Sequence, residues 1–86
     1  QNYPNPFNPS TAIPYSLGEP GRVRLAVFDV GGRLVRELVS GSQPAGPHVA
    51  VWDGRDAAGR PLGSGTYFYR LEGPALEATR SMVLVK

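Results

Sequence analysis

The sequence predicts an all-β fold, an antiparallel β-sandwich of about seven short strands. Three observations carry this expectation. Apolar residues recur at period two in several short runs, turn-forming residues separate those runs, and no long window sustains a helical repeat. The chain has 86 residues, 11 of them glycine and 9 proline, spread between the apolar runs instead of gathered into tracts. That length fits one domain, residues 1–86, with a thin core.

Residues 1–10 hold prolines at 4, 6 and 9 and are expected to be extended, because proline fixes its own φ and disfavours helix in its predecessor. Ile13, Tyr15 and Leu17 alternate, which reads as a strand; Pro14 confines it to an edge or a bulge. Residues 18–21 form a turn. Arg22 to Val30 is the clearest strand, with Val23, Leu25 and Val27 on one face. Gly31-Gly32 is a two-residue hairpin signal.

Arg33 to Ser40 follows with Leu34, Val35, Leu38 and Val39, a spacing that also fits a short helix; β-branched content favours a strand. Residues 41–47 read as a loop. His48, Ala50 and Trp52 share one face of the next strand, and Val49 and Val51 the other. A long glycine-rich turn region spans 53–65. Tyr67, Tyr69 and Leu71 then alternate with Phe68, Arg70 and Glu72. After a turn at Gly73-Pro74, a last strand runs from about Glu77 to Val85, with Met82 and Leu84 on one face. Short strands at such regular spacing indicate an immunoglobulin-like sandwich. No internal repeat is evident.

Composition narrows the chemistry. No cysteine is present, which excludes disulfides and thiolate metal sites. The net charge of +2 is small and the basic residues are scattered, which argues against nucleic-acid binding. No apolar run approaches the roughly 18 residues of a membrane-spanning helix. The chain opens at Gln1 without methionine and reads as a piece of a longer protein.

Asp53 and Asp56 form a weak Ca²⁺ candidate; with Arg55 between them, Asx turns are the plainer account. His48 has no nucleophile or orienting partner in a triad-like arrangement, and the glutamates show no catalytic pairing. The expectation is a non-enzyme needing no cofactor. Trp52, Tyr67, Phe68 and Tyr69 could form a sugar platform, yet a small sandwich needs large side chains in its core. Phe68 is the best candidate for an exposed aromatic. Arg22, Arg24, Arg33, Arg36, Arg70 and Arg80 could build a basic stripe; cross-strand pairing with the glutamates is the plainer account.

Several segments, in order, resemble type IX secretion C-terminal sorting domains of Bacteroidetes-like bacteria. They are Asn2-Tyr3-Pro4-Asn5-Pro6-Phe7-Asn8-Pro9-Ser10-Thr11, then Val27-Phe28-Asp29-Val30 with Gly32-Arg33-Leu34-Val35. Trp52-Asp53-Gly54-Arg55-Asp56, Ser64 to Leu71 and Met82-Val83-Leu84-Val85-Lys86 complete the set. The segment from Trp52 to Leu71 is also similar to the Ig-like domain of flagellar hook-capping proteins. One departure is Ser81, where the family carries a basic residue; Arg80 stands one place earlier.

The resemblance implies a sorting signal that sends N-terminal cargo domains of the same chain through an outer-membrane translocon. The destination would be the cell surface or the medium, and a sortase-like peptidase could remove the domain. The implied recognition residues are Pro4, Asn5, Pro6, Gly32, Gly65, Tyr67, Met82, Val83, Leu84, Val85 and Lys86, on a monomer. The competing expectations are a carbohydrate-binding module, a structural or assembly module and a Ca²⁺-binding adhesion domain.

Overall fold

The computed structural model describes residues 3–5 and 8–85, in two facing antiparallel sheets with no helix among them. The strands are β1 (Tyr3–Asn5), β2 (Asn8–Leu17), β3 (Gly21–Phe28), β4 (Leu34–Gln43), β5 (Gly46–Trp52), β6 (Gly65–Gly73) and β7 (Leu76–Leu84). One sheet has the order β1-β2-β5 and the other β4-β3-β6-β7. This is the expected sandwich. The chain passes between the sheets after β2, β4 and β5.

Period-two burial builds the core. Ile13 and Leu17 of β2 and Ala50 and Trp52 of β5 face inward from the smaller sheet. Val23, Leu25 and Val27 of β3, Tyr67, Tyr69 and Leu71 of β6, and Met82 and Leu84 of β7 meet them. The alternate residues Val49 and Val51 point to solvent. Trp52, Tyr67 and Tyr69 therefore supply core volume, while Phe68 lies half-buried on the outer face.

Three local expectations are corrected. First, the strand expected to reach Val30 ends at Phe28, and Gly31-Gly32 is not a two-residue hairpin. Asp29 leaves the ladder and organises a longer loop, closed by Gly32 N–H to Asp29 C=O at 3.0 Å, with Gly32 at φ 84°. A positive φ there demands glycine.

Second, residues 41–47 are not a loop. β4 continues to Gln43 because Gly41, Ser42 and Gln43 pair with Val23, Arg22 and Gly21. Only Pro44 and Ala45 turn the chain.

Third, the helix-like spacing in 34–39 has a β explanation. The β3–β4 register shifts twice, passing over Leu38 and Val35, so two bulges break the period of two. Pro14 sits in a strand flanked on both sides, yet β1 pairs with β2 only as far as Ala12. Beyond that point no described residue pairs with β2 on that side, and proline is tolerated at such an edge.

Replacing fully buried Leu25 with alanine is expected to cost about 2–5 kcal/mol, against about 0.5 or less for exposed Val49→Ala. Urea unfolding midpoints check both; comparable shifts would contradict the assigned faces.

Candidate recognition surface

Trp52 ends β5 at the centre of the core, and its ring meets Tyr67 of the facing sheet edge-on, centroids 5.2 Å apart. A buried indole needs an acceptor, and Trp52 Nε1 donates to the Arg55 carbonyl at 3.0 Å. Arg36 of β4 reaches the same carbonyl at 3.3 Å and also donates to Asp53 Oδ1 at 3.1 Å. Tyr67 completes the arrangement by donating its hydroxyl to the Gly63 carbonyl at 2.8 Å. The connection from 53 to 64 is thus held from both sheets.

That connection contains a loop built like the one at Asp29. Asp29 Oδ1 accepts the N–H groups of Gly31 and Arg33 at 2.9 and 3.0 Å. Asp56 Oδ1 accepts those of Ala58 and Arg60 at 3.0 and 2.9 Å. In each loop the aspartate N–H also donates to the arginine carbonyl at 3.0 Å. Gly32 and Gly59 adopt matching φ of 84° and 83°. The sequence signal is Asp29-Val30-Gly31-Gly32-Arg33 against Asp56-Ala57-Ala58-Gly59-Arg60, a five-residue repeat that the sequence reading missed. Ala57 N–H donates to the Val35 carbonyl at 3.1 Å and so ties the second loop to β4.

Hydrogen bonds within the protein engage three of the four carboxylate oxygens of the Ca²⁺ candidates. Asp53 Oδ1 accepts Arg55 N–H at 3.0 Å besides Arg36, and Asp56 Oδ2 accepts Arg60 Nε at 3.2 Å. The Asx-turn account fits both. The Asp56 carboxyl is held below the ordinary aspartate value of 3.8, first by the Arg60 backbone N–H, then by the Ala58 N–H and the Arg60 charge, against a desolvation penalty. His48 stacks on Tyr15 at 5.1 Å, and its Nε2 lies 2.8 Å from the Pro44 carbonyl, which makes it the donor there.

The recognition candidates divide by position. Met82 and Leu84 are buried, so their contribution is to the core, while Val83 is exposed on β7 and Val85 just beyond it. β7 is the outer strand of its sheet, and none of the described residues pairs with its other side. Tyr67 pairs with Met82 and Gly65 with Leu84, so both support β7 from β6. Gly32 belongs to the distant Asp29 loop. Pro4 and Asn5 pair with Thr11 and Asn8 in β1, and Pro6 and Lys86 lie outside the described residues.

Arg80 stands opposite Tyr69 and shares its face with Met82 and Leu84, whereas Ser81 stands opposite Phe68 on the outer face. Burial raises the Tyr69 pKa and the Arg80 charge opposes the rise.

The outer face of the larger sheet carries an ion-pair ladder. Arg24 pairs with Glu37 at 2.7 Å and lies 3.8 Å from Glu72; Arg70 pairs with Glu77 and lies 3.8 Å from Glu72. These arginines are neutralised across strands, as the plainer account of the basic stripe expects. The clasp at Arg36 was not foreseen, because its partners lie on another connection far along the chain.

A family model described as the FlgD Ig-like domain matches residues 10–75. No curated protein matches the sequence. Among solved structures, FlgD from P. aeruginosa is similar at 24% identity and a TM-score of 0.67, covering 87% of this chain and 60% of that one. Dimeric latent PorU from Porphyromonas gingivalis is similar at 22% identity and a TM-score of 0.73, covering 100% of this chain and 9% of that one. At these identities the structural likenesses show the fold.

A carboxyl whose pKa is depressed by folding stabilises the fold above its unfolded pKa, and that stabilisation is lost as pH falls through the folded value. A carboxyl-detected NMR titration is therefore expected to place the Asp56 midpoint below 3.8. Asp56→Asn should remove this acid-side loss; a midpoint at or above that value would contradict the loop geometry.

Proposed function

The chain belongs to the FlgD Ig-like domain family, and we propose that it serves as a non-catalytic sorting module carrying a larger cargo protein through type IX secretion to the cell surface or medium. The order of sequence motifs from Asn2 to Lys86 carries this reading. The fold likeness to PorU supports it. The partners of the module are then an outer-membrane translocon, a sortase-like peptidase and the cargo domains preceding it. In this reading the domain is a substrate of export and catalyses nothing.

β7 is the physical basis offered for recognition. An outer strand whose far edge no described residue pairs can be read by strand addition, and exposed Val83 and Val85 would fill side-chain pockets on the reader. A second reading, a structural or assembly module, is favoured by one observation. The family match itself, to the FlgD Ig-like domain, covers residues 10–75 and does not include β7, which begins at Leu76. The two readings therefore part at the last strand.

Fusion of residues 1–86 to a reporter in a bacterium with type IX secretion separates them. The fusion should reach the surface or medium, and deletion of residues 82–86 should abolish export. Because that deletion removes buried Met82 and Leu84, Val83→Asp with Val85→Asp serves as a fold-preserving variant. It should lower export with an unchanged melting curve. Normal export of the truncation, or of the double variant, would contradict the reading.

A further inference from the structure

The strands of the two sheets differ in charge. Each strand of the larger sheet carries two residues drawn from Asp, Glu, Lys and Arg, whereas β1, β2 and β5 of the smaller sheet carry none. We propose that the outer face of the smaller sheet is a self-association surface, covered by the same face of a second copy of this chain. This departs from the monomer that the sorting-domain resemblance implies. It is independent of the export reading, because β7 takes no part in it.

Alternation sets Ala12, Pro14 and Ser16 of β2 and Pro47, Val49 and Val51 of β5 on that outer face, because Ile13, Leu17, Ala50 and Trp52 face the core. Val49 is 65% exposed and Val51 61%. The outer face of the larger sheet is instead solvated through its ion-pair ladder. From Thr11 to Leu17 the β2–β5 register runs without a shift, whereas the β3–β4 register shifts twice. An unbroken register leaves an even surface, and an apolar surface without charge loses little hydration when another sheet covers it.

The relief of the face is what selects a second copy. The valines of β5 stand out, and the shorter Ala12 and Pro14 of β2 lie half-buried beside them. Ala12 pairs with Val51 and Pro14 with Val49, so each high position has a low one next to it at the same level along the strands. A two-fold axis parallel to the strands, running between β2 and β5, exchanges the high row with the low one. It lays Val51 over Ala12 of the second copy and Val49 over Pro14, and the same contacts recur in reverse. Stacked sheets lie about 10 Å apart with strand directions within about 30°, a spacing that these side chains fill. No like charges meet across the contact, because the face has none.

Two paired strands make a narrow face, so the dimer is expected to be weak and to form between about 10 µM and about 1 mM. Sedimentation equilibrium of the 86-residue chain over that range tests it. The mass should rise with concentration from the 9.2 kDa monomer towards twice that value. Val49→Lys with Val51→Lys should weaken association by about tenfold or more, while Val83→Lys with Val85→Lys, the same added charge at β7, should leave it unchanged. All four valines are exposed, and unchanged melting curves verify the fold of both variants. Ala12→Leu should also weaken association by filling the low row, and Val51→Ala added to it should restore the dimer. A neighbouring domain of a longer parent chain is the competing occupant and would leave this chain monomeric. A monomer throughout the range, a dimer that survives the lysines at 49 and 51, equal weakening by the lysines at β7, or Ala12→Leu without rescue would each overturn the proposal.

Discussion

One carbonyl oxygen, that of Arg55, joins the two halves of the sandwich. It accepts the indole N–H of Trp52, which comes from the smaller sheet, and a guanidinium N–H of Arg36, which comes from the larger. A carbonyl has two lone pairs, so both bonds can form at once. With no cysteine in the chain, no covalent staple assists them. The largest core side chain thus has its polar atom satisfied by the same bond that fixes the crossover between β5 and β6. Tyr67, edge-on to Trp52, brings the start of β6 to the same point.

Much of what distinguishes the surface follows from this joint. The crossover is fixed at its start by Arg36 and at its end by the Tyr67 hydroxyl, and between them the Asp56 loop folds on its own aspartate. That loop lies beside its counterpart at Asp29, and the cleft between them results. Tyr67 also stands opposite Met82, so the joint reaches the C-terminal end of β7, the strand offered as the export determinant. The two surfaces differ in chemistry. The cleft sets Arg33 and Arg60 beside Asp29 and Asp56 over aliphatic walls, while β7 offers an edge that no described residue pairs, with exposed Val83 on the strand and Val85 just beyond it.

The sandwich was legible in the sequence where burial is regular. Val23, Leu25 and Val27, or Tyr67, Tyr69 and Leu71, keep strict alternation because each strand buries one face. Residues 34–39 were ambiguous because the bulges at Val35 and Leu38 are set by pairing with β3, which no local pattern records. Residues 41–43 read as a loop from their own composition, yet β3 draws them into the sheet. At the site, the turn roles of Asp53 and Asp56 were visible from the residues beside them. The clasp at Arg36 was not, because a bond to Asp53 depends on how the sheets stack. The repeated Asp-x-x-Gly-Arg loop could have been found by inspection and gains its meaning only once folding sets the two copies side by side.

The most direct measurement is a double-mutant cycle on the joint. Trp52→Phe and Arg36→Met each remove one donor to the Arg55 carbonyl, from opposite sheets, and unfolding free energies are compared for the two single variants and the double. The account predicts a coupling of about 0.5–3 kcal/mol between the two substitutions. Strict additivity, within about 0.3 kcal/mol, would show that the two donors act independently and would contradict the joint.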